Sequence, residues 1–314
     1  MLRFGRLVLA ALVLVVTAAC GTSGTESSAT SAPVGGAGGT GSNATTAPAA
    51  TAAGSGVGET GSSATTAPAA TTEGTAAAAG SVPDLNGRTV VVGTDAAYPP
   101  FESVDAATDQ IVGFDVDLMN EIGRLANFQP EFKNAAFDTI FVALDQKEFD
   151  AVMSAATITE ERKQVVNFSE PYIEVGQLVV TSAGNESIKS HEDLANAAAV
   201  GVQTGTTGET AALDAGKVPD ANLKRYQTID LAFADLANNS IDAVVADGPT
   251  VGNYTAQEQY AGKLKVVGEP FTTESYGIAV NKNDTELLNA INAALTQIKS
   301  TDTIQKLKDK YQIK

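Results

Sequence analysis

Cysteine, histidine and basic residues are scarce in this chain, and each shortage excludes something. The single cysteine, Cys20, rules out a disulfide within the 314 residues. With only one histidine, His191, beside it, a His/Cys metal cluster is also excluded. A Ser-His-Asp triad would have to use that same His191, which "KSHEDL" places in the first turn of a surface helix behind an N-cap Ser190. Lys and Arg number 20 against 37 Asp and Glu, a formal net charge of −17. Nucleic acid and anionic membrane surfaces are therefore poor partners. The apolar run "LVLAALVLVV", Leu7–Val16, has 10 residues, too few to span a bilayer as a helix.

That run follows Arg3 and Arg6 and precedes "TAAC", the order of an export signal. Residues 1–20 look like a lipoprotein signal peptide, with Cys20 as the lipidation site and first residue of the mature protein. Residues 21–83 change to Gly, Ala, Ser, Thr and Pro, and "GSNATTAPAAT" at Gly41 recurs as "GSSATTAPAAT" at Gly61. Such a segment has too little apolar side chain to offset its ordering entropy, so it is expected to be a disordered linker. As a tether it would span about 40 Å r.m.s..

Residues 84–314 carry the folding pattern. "RTVVVGT" reads as a strand and "FDVDLMNEIGRLA" as a helix with Leu118, Ile122 and Leu125 on one face. Strand and helix signals then alternate through "PEFKN", "DTIFVALDQ", "DAVMSA", "AAVGVQT", "TGETAALDA", "LKRYQT", "DLAFADLANN" and "DAVVAD". Repeated βα units predict an α/β fold with largely parallel sheets. Parallel sheets bind ligands beyond the carboxyl ends of their strands. Asp95, Tyr98 and Phe101 follow the first strand, "ATITEER" follows "DAVMSA", "TGTTGE" follows "AAVGVQ", and Asp247 ends "DAVVAD".

Two of these ends favour anions. The turn Thr204–Glu209 opens a helix whose first N–H groups lack intrahelical partners; it reads either as an anion site or as an ordinary capped start. In "ATITEER", Thr159 predicts an N-cap, which puts Arg162 in the first turn, against the helix dipole. A guanidinium fork there matches a carboxylate; pairing with Glu160, Glu161 or Glu170 is the plainer reading. Asp95 and Asp247 also suit turns, and Tyr98 and Phe137 also suit a core.

Taken in order, "GTDAAYPPFE", "VGFDVDLMNEI", "FDTIFVAL", "DAVMSAATITEERKQVVNFSEPY", "VGVQTGTTGE" and "DAVVAD" resemble the polar amino-acid branch of extracytoplasmic solute-binding proteins, the receptors of ABC importers. The likeness is greatest to glutamine-binding and lysine/arginine/ornithine-binding proteins. It implies a two-lobed periplasmic-binding-protein fold with a two-strand hinge. Lobe 1 would be about 84–180 and 275–314 and lobe 2 about 181–274, with "QLVVTS" and "ESYGIAV" as the crossings. It further implies that Arg162, helped by N–H groups of Thr157 and of Thr206 or Thr207, clamps a ligand α-carboxylate. Asp247 would take the α-ammonium, with the Thr157 hydroxyl and the Ala155 carbonyl. Tyr98 and Phe137 would sandwich the aliphatic part, and Asp95 and Gln203 would read its end, with Ser154 behind them.

If Arg162 and Asp247 match the two ends of a zwitterion, Asp95 is left over, and a buried unpaired carboxylate is costly. The expected ligand is therefore a basic L-amino acid (arginine, lysine, ornithine or histidine), with glutamine as the alternative. The expected role is non-enzymatic delivery to a membrane permease, by a monomer without cofactor or metal, touching the membrane through its lipid anchor only. Cyclohexadienyl dehydratases resemble the same fold and supply the enzyme alternative; a free-standing sensor is a third.

Overall fold

The computed structural model describes residues 81–314. The expected signal peptide, Cys20 and almost all of the expected linker lie outside the described residues.

Strand β1 (Arg88–Thr94) is followed by a small antiparallel sheet of β2 (Ala97–Tyr98), β3 (Glu102–Val104) and β4 (Ile111–Val112). Helix α1 (Phe114–Ala126) leads to β5 (Phe128–Asn134), and α2 (Phe137–Asp145) leads to β6 (Ala151–Val152). Then come β7 (Val166–Phe168), β8 (Ile173–Val175) and β9 (Gln177–Ser182). The next units are β10 (Val200–Gln203), α3 (Thr207–Asp214), β11 (Leu223–Tyr226), α4 (Ile229–Ala237), β12 (Ala243–Asp247) and α5 (Gly248–Ala256). The chain continues through β13 (Leu264–Val267), β14 (Glu274–Tyr276) and β15 (Ala279–Asn281) to α6 (Thr285–Lys299) and α7 (Thr303–Lys310).

These elements form two five-stranded sheets, ordered β5-β1-β6-β15-β7 and β11-β10-β12-β9-β13. In the first, β1 pairs in parallel with both β5 and β6; in the second, β10 pairs in parallel with both β11 and β12. The remaining neighbours in each sheet are antiparallel. The chain thus moves to opposite sides of β1 and of β10. Each is a topological switch point, where a crevice opens at the carboxyl end. Asp95 follows the first and Gln203 ends the second.

Helix α6 carries a clear amphipathic pattern. Leu287, Ile291, Ala294, Leu295 and Ile298 are buried in one stripe, and the Asp284 carboxylate caps the helix by accepting the N–H of Leu287 at 3.0 Å. Among the described residues, no helix is long and apolar enough to cross a membrane.

Three local expectations change. "QLVVTS" is not a crossing: it is β9, hydrogen-bonded on both sides by β12 and β13. Its side chains are largely buried on both faces, as in a strand inside a sheet covered on both sides. The two-stranded ladder is instead made by β8 and β14, with Glu274 opposite Val175 and Tyr276 opposite Ile173. "DAVMSA" pairs only at Ala151 and Val152, because Ala155 turns into the left-handed region at φ 45°. Finally, Thr159 does not open an α-helix. Its hydroxyl accepts the N–H of Arg162 at 3.1 Å, but only the 3-10 turn Arg162–Gln164 follows before Val166 joins the sheet.

Candidate functional site

A small, tight cavity of about 10 Å³ lies where the strand ends of the two sheets meet. Its wall is Asp95, Tyr98, Phe137, Ser154, Ala155, Thr157, Arg162, Gln203, Thr206, Thr207 and Asp247. Residues far apart in sequence converge there because each follows a strand. Asp95 and Tyr98 come after β1, Ser154–Thr157 after β6, Gln203–Thr207 from the end of β10, and Asp247 from the end of β12. Phe137 is the first residue of α2.

At one end, the Arg162 guanidinium donates to the Thr157 carbonyl at 2.8 Å and to the Gly205 carbonyl at 3.1 Å. It therefore ties the strand end of the first sheet to the turn after β10. Its central carbon lies over two rings, 5.2 Å from the centroid of Phe137 and 4.8 Å from that of Phe141. None of the expected glutamate partners holds it; Glu160 pairs with Lys163 instead. Burial lowers its pKa to about 10, while Asp247, Glu274 and Glu161 oppose that shift. Facing it, Thr206 caps α3 by accepting the N–H of Glu209 at 3.3 Å, and Gly205 in turn donates to Glu209 Oε2 at 2.8 Å. The Thr206 N–H is directed at the Gln203 carbonyl, 3.4 Å away. Thr207 is the first helical residue, so its N–H has no intrahelical acceptor.

Across the cavity, Asp247 is buried, and its two oxygens have different partners. Oδ1 accepts from Gln177 Nε2 at 2.9 Å, and Oδ2 accepts from the Tyr98 hydroxyl. Tyr98 is thus a donor as well as a wall, a role its expected stacking function did not include. Burial and the charge of Glu274 raise the Asp247 pKa to about 7, against the pull of its hydrogen bonds and of Arg162. Glu274 on β14 is the hinge-strand member of the same network. It accepts from Thr157 Oγ1 at 2.8 Å, from Thr272 Oγ1 at 2.8 Å and from Gln177 Nε2 at 3.1 Å. Thr157 Oγ1 also lies 3.2 Å from Thr207 Oγ1.

At the other end, Gln203 Nε2 donates to Asp95 Oδ2 at 2.6 Å and to the Gln227 carbonyl at 3.2 Å. Asp95 is consequently hydrogen-bonded without being neutralised. Burial raises its pKa to about 6, and the charged groups acting on it, Asp230 and Asp138, raise it further. Both are acids in the first turns of α4 and α2.

Three contributors were missed by reading the sequence: Gln177, Glu274 and Phe141. Gln177 and Glu274 both lie in segments read as crossings, "QLVVTS" and "ESYGIAV", to which no ligand role was attached. Phe141 follows Phe137 by four residues on α2, a spacing that does put two rings on one face.

The family described as bacterial extracellular solute-binding proteins, family 3, matches residues 90–314. A probable histidine-binding protein of Neisseria gonorrhoeae is 36% identical over 225 residues, covering 72% of this chain and 83% of that protein. An ancestral arginine-binding protein bound to arginine is similar in structure, with 43% identity, a TM-score of 0.66, and coverage of 71% of this chain and 97% of that one. An ancestral amino acid-binding protein described as a precursor of cyclohexadienyl dehydratase has 39% identity and a TM-score of 0.65, covering 71% and 95%.

Proposed function

The chain belongs to the bacterial extracellular solute-binding proteins, family 3, and from that premise we propose that it captures a basic L-amino acid for an ABC importer. Arginine is the first candidate, with lysine, ornithine and histidine beside it. The observation that carries this reading is Asp95. It is a buried carboxylate at the far end of the cavity from Arg162, hydrogen-bonded by a neutral amide, with further negative charge from Asp138 and Asp230 around it. A guanidinium, ammonium or imidazolium end would neutralise it; an acidic end would add to the repulsion.

The other end of the cavity suits the backbone groups of an amino acid. Arg162 with the N–H of Thr207 would hold the α-carboxylate, aided by the N–H of Thr157. Asp247 with the Thr157 hydroxyl and the Ala155 carbonyl would hold the α-ammonium. Tyr98 and Phe137 would flank the aliphatic stem. The ligand's groups would replace bonds that the two lobes now make with each other, such as Arg162 to Gly205 and Tyr98 to Asp247. Closure around a ligand, hinged at β8 and β14, would then deliver a compact, loaded shape to a permease. Cys20, lipidated, would hold the monomer to the outer face of the membrane, with residues 21–83 as its tether.

Glutamine is the second ligand this site accommodates, because the Gln203–Asp95 pair can meet an amide with both a donor and an acceptor. Names of related proteins fit the basic reading: they include a probable histidine-binding protein and an arginine-binding one. No catalytic step is assigned.

A thermal-shift panel of the twenty amino acids on the purified protein tests the proposal. A cognate ligand at 100 times its dissociation constant should add about 2.7 kcal/mol of stability. Stabilisation confined to basic amino acids supports the reading, and a flat panel rejects it.

A further inference from the structure

Behind the cavity wall the molecule buries two carboxyl groups that do not line the cavity but hydrogen-bond residues that do. Glu102 on β3 and Asp115 in the first turn of α1 are both fully inaccessible to solvent. Glu102 Oε1 accepts from Ser154 Oγ at 3.1 Å. Asp115 Oδ2 accepts from the Ala155 N–H at 2.8 Å and from the Tyr172 hydroxyl at 2.8 Å. Their other oxygens, Glu102 Oε2 and Asp115 Oδ1, are buried and receive no donor from any other residue. The two side chains lie within hydrogen-bonding reach of one another.

Two ionised carboxylates cannot share a dry site at that separation, whereas one proton between them converts repulsion into a hydrogen bond. The surroundings decide which group carries it. Asp115 accepts two donors on one oxygen and sits at the positive end of α1, and both favour its charged form. Glu102 accepts only from a neutral hydroxyl. We infer that Glu102 is a protonated carboxylic acid donating from Oε2 to Asp115 Oδ1, and that this pair positions the two backbone segments facing the ligand.

One proton then orders the whole chain of donors. The Asp95 N–H donates to Ser154 Oγ at 2.9 Å, Ser154 donates to Glu102, Glu102 donates to Asp115, and Asp115 accepts the Ala155 N–H. Both ends of that chain belong to cavity residues. Ala155 needs the support, since its φ of 45° is the left-handed conformation that costs a non-glycine residue about 1–2 kcal/mol. Ionising Glu102 would place a second charge against Asp115, with Asp95 also acting on it. The titratable groups facing the pair are Asp95 and Tyr172, with Asp247 acting on Tyr172. Burial and the charges of Asp115 and Asp95 push Glu102 well above the usual carboxylate range.

The location of the proton is independent of the proposed ligand; only the positioning role rests on that reading. The test therefore has two arms. Infrared spectroscopy of the ligand-free protein, well above the pH at which Asp95 and Asp247 ionise, should show a protonated carboxyl band that Glu102→Gln removes. Absence of that band in the wild type, or its persistence in a folded Glu102→Gln, overturns the inference. In the second arm L-arginine is titrated into each variant. Glu102→Gln, whose amide donates to Asp115 as the acid does, should bind within about threefold of wild type, while Asp115→Asn should weaken binding roughly tenfold or more. Toward alkaline pH the wild type should lose more affinity than Glu102→Gln, whose loss would reflect only deprotonation of the ligand's α-ammonium and of Arg162. Equal affinity in all three proteins, or equal loss in both variants, overturns the positioning role. No arginine binding by the wild type rejects the ligand reading, and with it the positioning role, and leaves the infrared arm to decide the proton.

Discussion

Gln203 donates to Asp95 across the cavity at 2.6 Å, joining the switch point of one sheet to the switch point of the other. A neutral amide can orient a carboxylate without cancelling its charge, which leaves Asp95 as the proposed receptor for a cation. Replacing it with Asn keeps the shape and removes the charge. Asp95→Asn should weaken L-arginine binding by about 2 kcal/mol or more, roughly thirtyfold, and leave L-glutamine within a few-fold. Calorimetric titration of both ligands into both proteins checks this; equal losses would mean that Asp95 does not read the side-chain end.

Arg162 is held from three sides, by the Thr157 carbonyl, the Gly205 carbonyl and the rings of Phe137 and Phe141. Arg162→Ala should remove binding of every amino acid, because the carboxylate is common to all of them. Phe141→Leu keeps the guanidinium and loses one ring face, a cation–π contribution of about 0.5–2 kcal/mol. Its affinity should therefore fall only modestly, about equally for all ligands.

Protonation follows from Asp95 and Asp247, raised from 3.8 to about 6 and about 7. A carboxyl with a raised folded pKa binds protons more tightly when folded. The stability these groups contribute is complete below about pH 4 and is lost as pH rises through 6 and 7. Ligand binding has the opposite sign, because a cation favours the ionised carboxylates. Arginine affinity should rise from pH 5 to 8, and binding near pH 6.5 should release protons. Titrations in two buffers of different ionisation enthalpy measure that release, and Glu274→Gln, which removes a charge that raises Asp247, should reduce it.

Gly113 lets the start of α1 approach the neighbouring β segment. Its φ is 151°, and a Cβ there would lie 1.9 Å from the Phe101 carbonyl oxygen. Gly113→Ala should destabilise the protein by about 1–3 kcal/mol, read by chemical denaturation. Because α1 carries Asp115, arginine affinity should fall as well.

The sequence made the alternation of strands and helices legible because β1 reads as a clear strand and α1 carries a strong helical periodicity. It also placed Asp95, Arg162, Gln203 and Asp247 at strand ends, where a parallel sheet leaves room. The hinge was less legible: β8 and β9 are separated by one residue, Gly176, and only ladder partners distinguish the ribbon from the sheet. Asp115 was hidden for a different reason. An acid in the first turn of a helix reads as a solvated dipole partner, yet this one is buried against Glu102, a contact no local pattern encodes.

The proposed site is one cavity that would recognise a zwitterion at one end and a cation at the other. Calorimetric titration with L-arginine, agmatine and L-glutamate separates those two requirements most directly. L-Arginine should bind with one-to-one stoichiometry, while agmatine, lacking the carboxylate, and L-glutamate, lacking the distal cation, should each bind at least about a hundredfold more weakly. Agmatine or L-glutamate binding as tightly as L-arginine would contradict it.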